Sequence, residues 1–516
     1  MKKLLSLLAA VGVMFALSSC GDDDDDDGVA PNNGVTITGI PATASIDNLG
    51  TLGPVTATVT GADGLAELVI TQDGAAFETV TLSGTSATYD FSYTAVAADE
   101  DSNIVFEFTA TDIDGDAVSV THVLSVGAAA VVPTEFDVTE NITANTTWTT
   151  GNVYNLEARV TVVSGVTLTI EPGVIIKGGA GTGANSKALL VARGATLNAV
   201  GTATQPIIMT SVADNIEPGE IVSPNLTDDV NGLWGGLIVL GNARISADNE
   251  SEQIEGIPAS DANGLYGGTN DADNSGTIQY VSVRHGGTNI GEGNEINGIT
   301  LGGVGSATTI DHVEVVGNAD DGIEWFGGTV DVTAALVWSV GDDAIDTDQA
   351  WAGTLDNFIV INPGDEAFEL DGPEGSYEGA GHTLTNGSVR ITFSASGLID
   401  LDDNTDVTMS NIYFFDLYTG EVDQNVEGYD GFIANTNGFD VTSIQSVLPV
   451  NTIDDDGDPV IETDMNGDPV NGTLSPVFGN LESEVTAVEQ GMNTVGATVS
   501  EFSFTLANAS GALDDF

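Results

Sequence analysis

The sequence predicts an all-β protein, a right-handed parallel β-helix preceded by an immunoglobulin-like β-sandwich. Residues 35–127 alternate apolar and polar positions in short runs separated by turn residues, which is typical of strands in a sandwich. Farther along, one apolar position recurs at intervals of 24, 22, 23 and 31 residues, at Ile299, Ile323, Ile345, Phe368 and Ile399. Because a coil of three short strands needs about this length, each repeat is predicted to be one rung of a solenoid.

The first 34 residues are predicted to export and tether the chain. Residues 1–19 join two lysines to an apolar run that is too short to span a membrane, as in a secretory signal peptide. The ending Leu17–Cys20 resembles the lipobox of bacterial lipoproteins, which implies a lipid on Cys20 and an outer-membrane lipid as partner. Cys20 is the sole cysteine, so no disulfide forms within the chain. Residues 20–34 are predicted to be an acidic tether, since Asp22–Asp27 repel one another.

Composition changes divide the rest of the chain. Residues 35–127 form the predicted sandwich, and residues 128–137 form a linker rich in alanine and valine. Residues 138–447 carry short apolar strands separated by Gly, Asn and Asp, with almost no helical pattern, and form the predicted β-helix. Residues 448–516 are predicted to be a C-terminal extension that caps the open end of the β-helix, because an exposed strand edge invites aggregation.

The net charge limits the possible partners. Loss of residues 1–19 leaves 9 − 2 = 7 basic residues against 78 acidic ones, a net charge of −71. Nucleic acid is excluded as a direct partner because its phosphates require Lys and Arg. Polyuronates and sulfated glycans are disfavoured for the same reason, unless a cation bridges them to the protein.

Several phrases resemble a widespread family of Bacteroidetes-type surface lipoproteins. They include "LTIEPGVIIKGG" (168–179), "LWGGLIVLGNA" (233–243) and "GNADDGIEWFGG" (317–328). The resemblance covers roughly residues 150–375 and implies a parallel β-helix on an outer-membrane lipoprotein. An acidic run directly after the lipidated cysteine also resembles the surface-export signal of such lipoproteins, which implies exposure at the cell surface. The resemblance does not indicate which biochemical function the protein has.

Carboxylates recur with the predicted rungs. Side chains alternate across a strand, so the residue after each inward apolar residue should point outward and form a column on successive rungs. That column is Glu324, Asp346, Glu369 and Asp400; a second is Asp320, Asp342 and Asp365; a third is Asp348, Asp371 and Asp402. Three interpretations remain open: a solvated acidic face, a Ca²⁺ site and a catalytic site. For calcium, the candidate ligands are Glu324, Asp346, Glu369, Asp400, Asp342 and Asp365, since Ca²⁺ prefers carboxylate oxygens.

The catalytic interpretation depends on a local resemblance. "NADDGI" followed 22 residues later by "GDDAI" resembles the paired-aspartate rungs of polygalacturonase-type glycoside hydrolases. The resemblance implies Asp321, Asp342 and Asp343 as the catalytic carboxylates of a polysaccharide hydrolase, which needs one acid and one base. The Gly-His-Gly expected on the next rung is absent, and "GDEAF" stands there instead. Half of that family's constellation is therefore missing.

Aromatic residues near the acidic rungs suggest contact with glycans. Phe326, Trp351 and Tyr377 are the predicted ligand-binding residues; alternation places Trp325 inward and Phe326 outward as an exposed platform. The sequence thus favours a surface lipoprotein that binds glycans without catalysis, with calcium as the candidate cofactor. A polysaccharide hydrolase that uses the rung aspartates is the alternative.

Overall fold

The computed structural model describes residues 34–46, 49–99, 101–127, 134–181, 183–288, 296–392, 398–401, 405–417, 438–448, 452–453, 459–460 and 474–516. The chain forms two compact units, Met1–Val131 and Val132–Phe516. The predicted signal peptide, Cys20, nearly all of the tether and Asp402 lie outside the described residues. None of the described helices is long and apolar enough to cross a membrane.

The first unit is a β-sandwich of two sheets. Its strands are β1 (Thr36–Thr38), β2 (Thr43–Ile46), β3 (Thr51–Thr60), β4 (Leu65–Gln72), β5 (Ala75–Thr81), β6 (Ser86–Thr94), β7 (Ser102–Asp112) and β8 (Ala117–Val126). The two sheets have the strand orders β1-β3-β6 and β2-β8-β7-β4-β5. Phe91 packs between Phe106 and Phe108 in the core, with ring centroids 4.9 and 5.1 Å away.

The second unit contains an eight-stranded parallel sheet, the rung sheet, with one strand per coil. Its strands are β12 (Val160–Val162), β15 (Leu189–Val191), β18 (Leu237–Leu240), β22 (Ile299–Gly302), β24 (Ile323–Phe326), β26 (Ile345–Asp348), β28 (Phe368–Leu370) and β30 (Ile399–Leu401). Ile299, Ile323, Ile345, Phe368 and Ile399 pair in register from strand to strand. The predicted repeat is therefore confirmed, and all five side chains lie in one interior apolar cluster.

The remaining faces of the coil form one 17-stranded sheet. Its strands are β9 (Glu135–Val138), β10 (Thr146–Trp148), β11 (Val153–Leu156), β13 (Thr167–Ile170), β14 (Ile175–Gly178), β16 (Thr196–Val200), β17 (Ile207–Ser211), β21 (Gly276–Arg284), β23 (Thr309–Val316), β25 (Val332–Trp338), β27 (Thr354–Ile361), β29 (His382–Arg390), β31 (Asp406–Ser410), β32 (Tyr413–Phe415), β33 (Gly438–Thr442), β34 (Ile444–Val447) and β37 (Val485–Val488). Since β9 pairs with β11, the first coil begins at Glu135, inside the segment predicted as a linker.

The other described elements are short. Two hairpins pair β19 (Glu252–Gln253) with β20 (Leu265–Tyr266) and β35 (Thr452–Ile453) with β36 (Pro459–Val460). The helices are α1 (Ser475–Phe478) and α2 (Leu506–Ala509), with 3₁₀ turns at Ala97–Asp99, Gly183–Asn185, Ala262–Gly264, Gly479–Glu484 and Val499–Phe502. The described part of the chain is thus nearly all β, as predicted.

A column of left-handed residues forms one corner of the coil. Tyr280, His312, Ala334, Asn357, Asn386, Asn411 and Ser443 all have φ between 52° and 61°. Asn tolerates this conformation better than other non-glycine residues. The column bends the long strands at equivalent positions and keeps the rungs aligned.

Two insertions depart from the regular coil. Residues 371–381 lie between β28 and β29, whereas only residues 349–353 separate β26 from β27. This longer turn adds 11 − 5 = 6 residues of the 31 − 23 = 8 by which this interval exceeds the preceding one, and it confirms the predicted loop insertion. A larger excursion, residues 241–275, leaves the coil after β18 and contains the β19–β20 hairpin.

The C-terminal segment does more than cap the end. Val477, Phe478 and Leu481 join the interior cluster beyond the last coils, as expected for a cap. Residues 493–516 instead cross the outer face of the 17-stranded sheet, where Phe502 and Leu506 pack in one apolar cluster with outward side chains of β23, β25 and β27. The prediction of an end cap was therefore incomplete, because these strands are apolar on both faces and need an outer cover.

Candidate functional site

A groove of about 780 Å³ lies against the outer face of the rung sheet. Its floor contains side chains from three successive coils: Glu324, Phe326, Asp346, Asp348, Glu369 and Asp371. Its walls are formed by residues of the 241–275 excursion between Ala247 and Ala259, together with Tyr266, Gln349 and Glu374. None of the described residues that line it is basic. The groove is therefore a concave and strongly acidic surface.

The excursion forms the wall because its apolar residues pack on the rung sheet. Ile254, Ile257 and Tyr266 share an apolar cluster with Phe326, and the rings of Tyr266 and Phe326 lie 5.9 Å apart. The Tyr266 hydroxyl donates to Gln349 Oε1 at 3.0 Å, which ties the excursion to the turn after β26.

The first predicted column of carboxylates is present in the predicted register. Thr300, Glu324, Asp346, Glu369 and Asp400 pair from strand to strand, and none of them belongs to the interior cluster. Glu324 and Asp346 are only 5% and 7% exposed, whereas Glu369 and Asp400 are partly exposed. The interpretation as a solvated face is therefore wrong for Glu324 and Asp346, because the excursion covers them.

A further column, unrecognised in the sequence, lies beside the first. Asn297, Asp321, Asp343 and Glu366 each stand two residues before the inward residue of their rung. The Asp343 N–H donates to Asp321 Oδ1 at 3.0 Å, and the Glu366 N–H donates to Asp343 Oδ1 at 2.5 Å. These carboxylates therefore link successive coils. The signal was available, since an acid or amide stands two positions before four of the five repeat residues.

Three buried carboxylates meet where the two columns adjoin. One oxygen each of Asp321, Glu324 and Asp346 lies within 4.8 Å of the others. Burial raises the pKa of all three carboxyls well above the usual range, and the neighbouring carboxylates raise it further. Such a cluster stores repulsion that a proton or a cation relieves.

The other predicted metal ligands are distributed differently. Asp342 forms a second group with Asp320 and Asp321, again with one oxygen of each within 4.8 Å. Asp365 is partly exposed, and one of its oxygens has no hydrogen-bond partner among the described residues. Within the described ranges, Asp365, Glu369 and Asp400 join neither group of clustered oxygens. The six predicted ligands therefore do not converge on one site.

The alternative catalytic trio lies outside the groove. Asp321 and Asp343 are 8% and 4% exposed, and each uses one oxygen to accept a backbone N–H. Asp342 is partly exposed beside Asp320. None of the three lines the groove. Among the carboxyls that do line the groove, burial followed by the charge of Glu374 raises the pKa of Asp348 well above the usual range.

The predicted aromatic platforms need correction. Phe326 is 7% exposed and packs under the excursion, so its predicted exposure is wrong. Trp351 is 1% exposed and stacks on Trp325 inside the coil, with ring centroids 4.7 Å apart; it cannot serve as a surface platform. Tyr377 is partly exposed and lies under the Arg244 guanidinium, 4.7 Å from the ring centroid. The alternation of side chains along the strand correctly predicted that Phe326 points out of the coil. It did not predict that the excursion covers the Phe326 ring.

Six of the seven basic residues in the described part of the chain are engaged elsewhere. Arg159 pairs with Asp261, Arg244 with Asp271, Arg284 with Glu314, and Arg390 with Asp416 and Asp515. Lys177 donates to the Asp214 carbonyl and Arg193 to the Gly267 carbonyl. The charge of the groove is therefore not compensated by these side chains.

Comparison with known proteins finds a solved structure and a family model that match this chain. Among solved structures, the catalytic unit of a thermostable GH87 α-1,3-glucanase from Streptomyces thermodiastaticus strain HF3-3 aligns with 82% of this chain and 93% of its own, at 10% identity and a TM-score of 0.28. No curated protein sequence gives a significant match. Residues 140–444 match the model of the pectate-lyase-like β-helix domain. This match spans more than half of the 516 residues, and the chain therefore belongs to the pectate-lyase-like β-helix family.

Proposed function

We propose that the protein is a lipid-anchored cell-surface β-helix that binds polysaccharide in the groove over its rung sheet. The observation that carries this proposal is the groove itself, a concavity of about 780 Å³ built on rigid strands. Membership of a family named after pectate lyase supports a carbohydrate ligand. Carboxylates such as Glu369 and Asp371 on the floor are suited to accept hydrogen bonds from sugar hydroxyls.

The charge of the groove narrows the ligand class. Nine acidic side chains line it: Asp248, Glu252, Glu255, Glu324, Asp346, Asp348, Glu369, Asp371 and Glu374. A polyuronate would be repelled unless cations bridged the two surfaces. The ligand is therefore a polysaccharide without acid groups, either neutral or carrying amino sugars.

Retention of the purified full chain on polysaccharide gels tests this function. We expect delayed migration in gels that contain a neutral glucan or an amino-sugar polymer, and none with polygalacturonate in EDTA. The double substitution Glu252→Gln and Asp371→Asn should weaken retention severalfold. Glu482→Gln with Glu489→Gln makes the same charge change at exposed positions outside the groove and should leave retention unchanged. Free migration in every gel, or equal loss in both variants, would contradict the proposal.

A polysaccharide hydrolase is the second candidate, favoured by the raised pKa of the groove-lining Asp348 carboxyl. A raised pKa favours the protonated form of the carboxyl, which a general acid requires. Each polysaccharide that retains the protein in a gel is therefore also incubated with the protein and assayed for new reducing ends. Release that disappears in Asp348→Asn would make the groove catalytic, and retention without release would make it a binding site.

The lipid anchor at Cys20 and the outer-membrane location belong to the same proposal. They are supported by the lipobox-like ending at Leu17–Cys20 and the adjacent aspartates. In the bacterial source or a related host, we expect a fatty-acid analogue to label the wild-type chain and not Cys20→Ala. Added protease should also remove the protein from intact cells. An unlabelled chain, or one that protease cannot reach, would refute the anchor or the surface exposure respectively.

A further inference from the structure

The buried carboxylates of Asp321, Glu324 and Asp346 form a cluster of negative charge. Glu324 and Asp346 pair on neighbouring strands of the rung sheet, and Asp321 lies two residues before β24. The exposed fractions of Asp321, Glu324 and Asp346 are 8%, 5% and 7%. No Lys or Arg of the described residues forms an ion pair with any of them. Like charges at such separations repel by several kcal/mol where water is largely excluded. A proton or a bound cation at the cluster relieves this repulsion.

Asn297 supplies an independent indication of that partner. Its side chain is 1% exposed, and its Nδ2 donates to Glu324 Oε2. Its Oδ1 has no hydrogen-bond partner among the described residues. Because both atoms belong to one small amide, the unpartnered oxygen lies beside the carboxylate cluster. A buried acceptor without a donor is costly, and a cation satisfies it as well as the carboxylates.

The donor set selects the kind of cation. It contains only oxygen atoms, from carboxylates and one amide, which are the ligands that hard cations prefer. Ca²⁺ binds oxygen at 2.3–2.6 Å, so opposite ligands around it lie roughly 5 Å apart. The three carboxylate oxygens, all within 4.8 Å of one another, fit around such an ion. Zinc is disfavoured because no Cys or His belongs to the cluster.

We propose that these three carboxylates and the Asn297 carbonyl oxygen bind one Ca²⁺ that links three successive coils of the β-helix. Water or further protein oxygens complete its coordination. The ion neutralises the repulsion beneath the groove and holds β22, β24 and β26 in register. Binding of Ca²⁺ at this site requires no glycan, so the site is tested independently of the function proposed for the groove.

Calorimetric titration and thermal unfolding of the full chain, without glycan, test the site. In CaCl₂ we expect a melting temperature several degrees above that in EDTA, because an ion bound only by the folded state stabilises it. MgCl₂ at matched ionic strength is the essential comparison, since a chain with a net charge of −69 attracts any divalent cation weakly. Equal shifts in the two salts would overturn the proposal.

Substitutions locate the ion. Glu324→Gln with Asp346→Asn should lower the affinity of the tightest Ca²⁺ site at least tenfold. Glu482→Gln with Glu489→Gln, the same charge change at exposed positions, should leave that affinity intact. In EDTA, the first double variant should melt above the wild type because its repulsion is reduced, which also shows that it folds. If the tightest site survives in that variant, or weakens equally in the control, the ion does not lie at this cluster.

Discussion

Replacement of Glu314 by alanine should destabilise the β-helix by about 3–5 kcal/mol, the usual cost of stranding one charge of a buried ion pair. Glu314 and Arg284 are both fully buried, and their charged groups lie 3.6 Å apart. Without the Glu314 carboxylate, the Arg284 guanidinium would remain buried and would lose the counterion of this pair. Burial already lowers the pKa of Arg284, and the attraction of Glu314 opposes that shift.

The same carboxylate fastens the C-terminal segment. Glu314 accepts the backbone N–H groups of Leu506 and Ala507, both at 3.0 Å, where α2 begins. It also accepts the Ser282 hydroxyl from the preceding coil. The loss should therefore be partly local: hydrogen exchange at residues 499–516 should accelerate more than exchange in β24 or β26. Thermal unfolding and exchange on the same sample measure the two effects.

A double variant separates the charge from the packing. Glu314→Leu combined with Arg284→Met replaces the ion pair by apolar groups of similar volume, which often restores or exceeds the original stability. We expect it to melt well above Glu314→Ala, with the coupling measured by a double-mutant cycle. A Glu314→Ala protein that loses less than about 1 kcal/mol would show that the pair and its bonds to α2 contribute little.

The rungs were predictable because their spacing is a strict steric constraint. A slip of one residue turns every side chain of a strand to the opposite face. The intervals between Ile299, Ile323, Ile345 and Phe368 therefore fixed both the interior column and the outward carboxylates, and the register agrees at each pair. The column at Asp321 and Asp343 follows from the same alignment read two residues earlier.

The alternation of apolar and polar residues did not predict which segments cover the outer faces of the rung sheet and of the 17-stranded sheet. Glu324, Asp346 and Phe326 point outward as expected, yet the 241–275 excursion buries them. That excursion has no repeat, and its docking depends on long-range contacts such as Tyr266 with Gln349. The strands "AALVW" (334–338) and "FIVI" (358–361) did carry a usable signal, since apolar residues on both faces require a second covering layer. The C-terminal segment provides that layer.

His382 should make the β-helix sensitive to acid. Its ring is 5% exposed, lies 5.2 Å from the Trp351 ring, and has Nε2 3.3 Å from Thr347 Oγ1. Burial alone lowers the pKa of His382 to about 3. An unfolded histidine has a pKa of about 6.5, so between these two values the unfolded state binds the extra proton. The stabilising contribution of the neutral ring is therefore complete above about pH 6.5 and is lost as the pH falls toward 3.

The expected loss from His382 is about 2 kcal/mol at pH 5 and about 3 kcal/mol at pH 4. The buried carboxyls of Asp321, Glu324 and Asp346 act in the opposite direction, because their raised pKa values make the folded state bind protons more readily. The pH profile of the wild type alone is therefore a poor test. The difference between wild type and His382→Gln cancels the carboxyl contribution, and it should favour the variant increasingly as the pH drops from 7 to 4. With only four histidines in the chain, NMR titration provides a direct check, since the His382 ring should remain neutral at pH 5. Parallel stability profiles, or a ring that titrates near pH 6.5, would show that acid reaches His382 in the folded state.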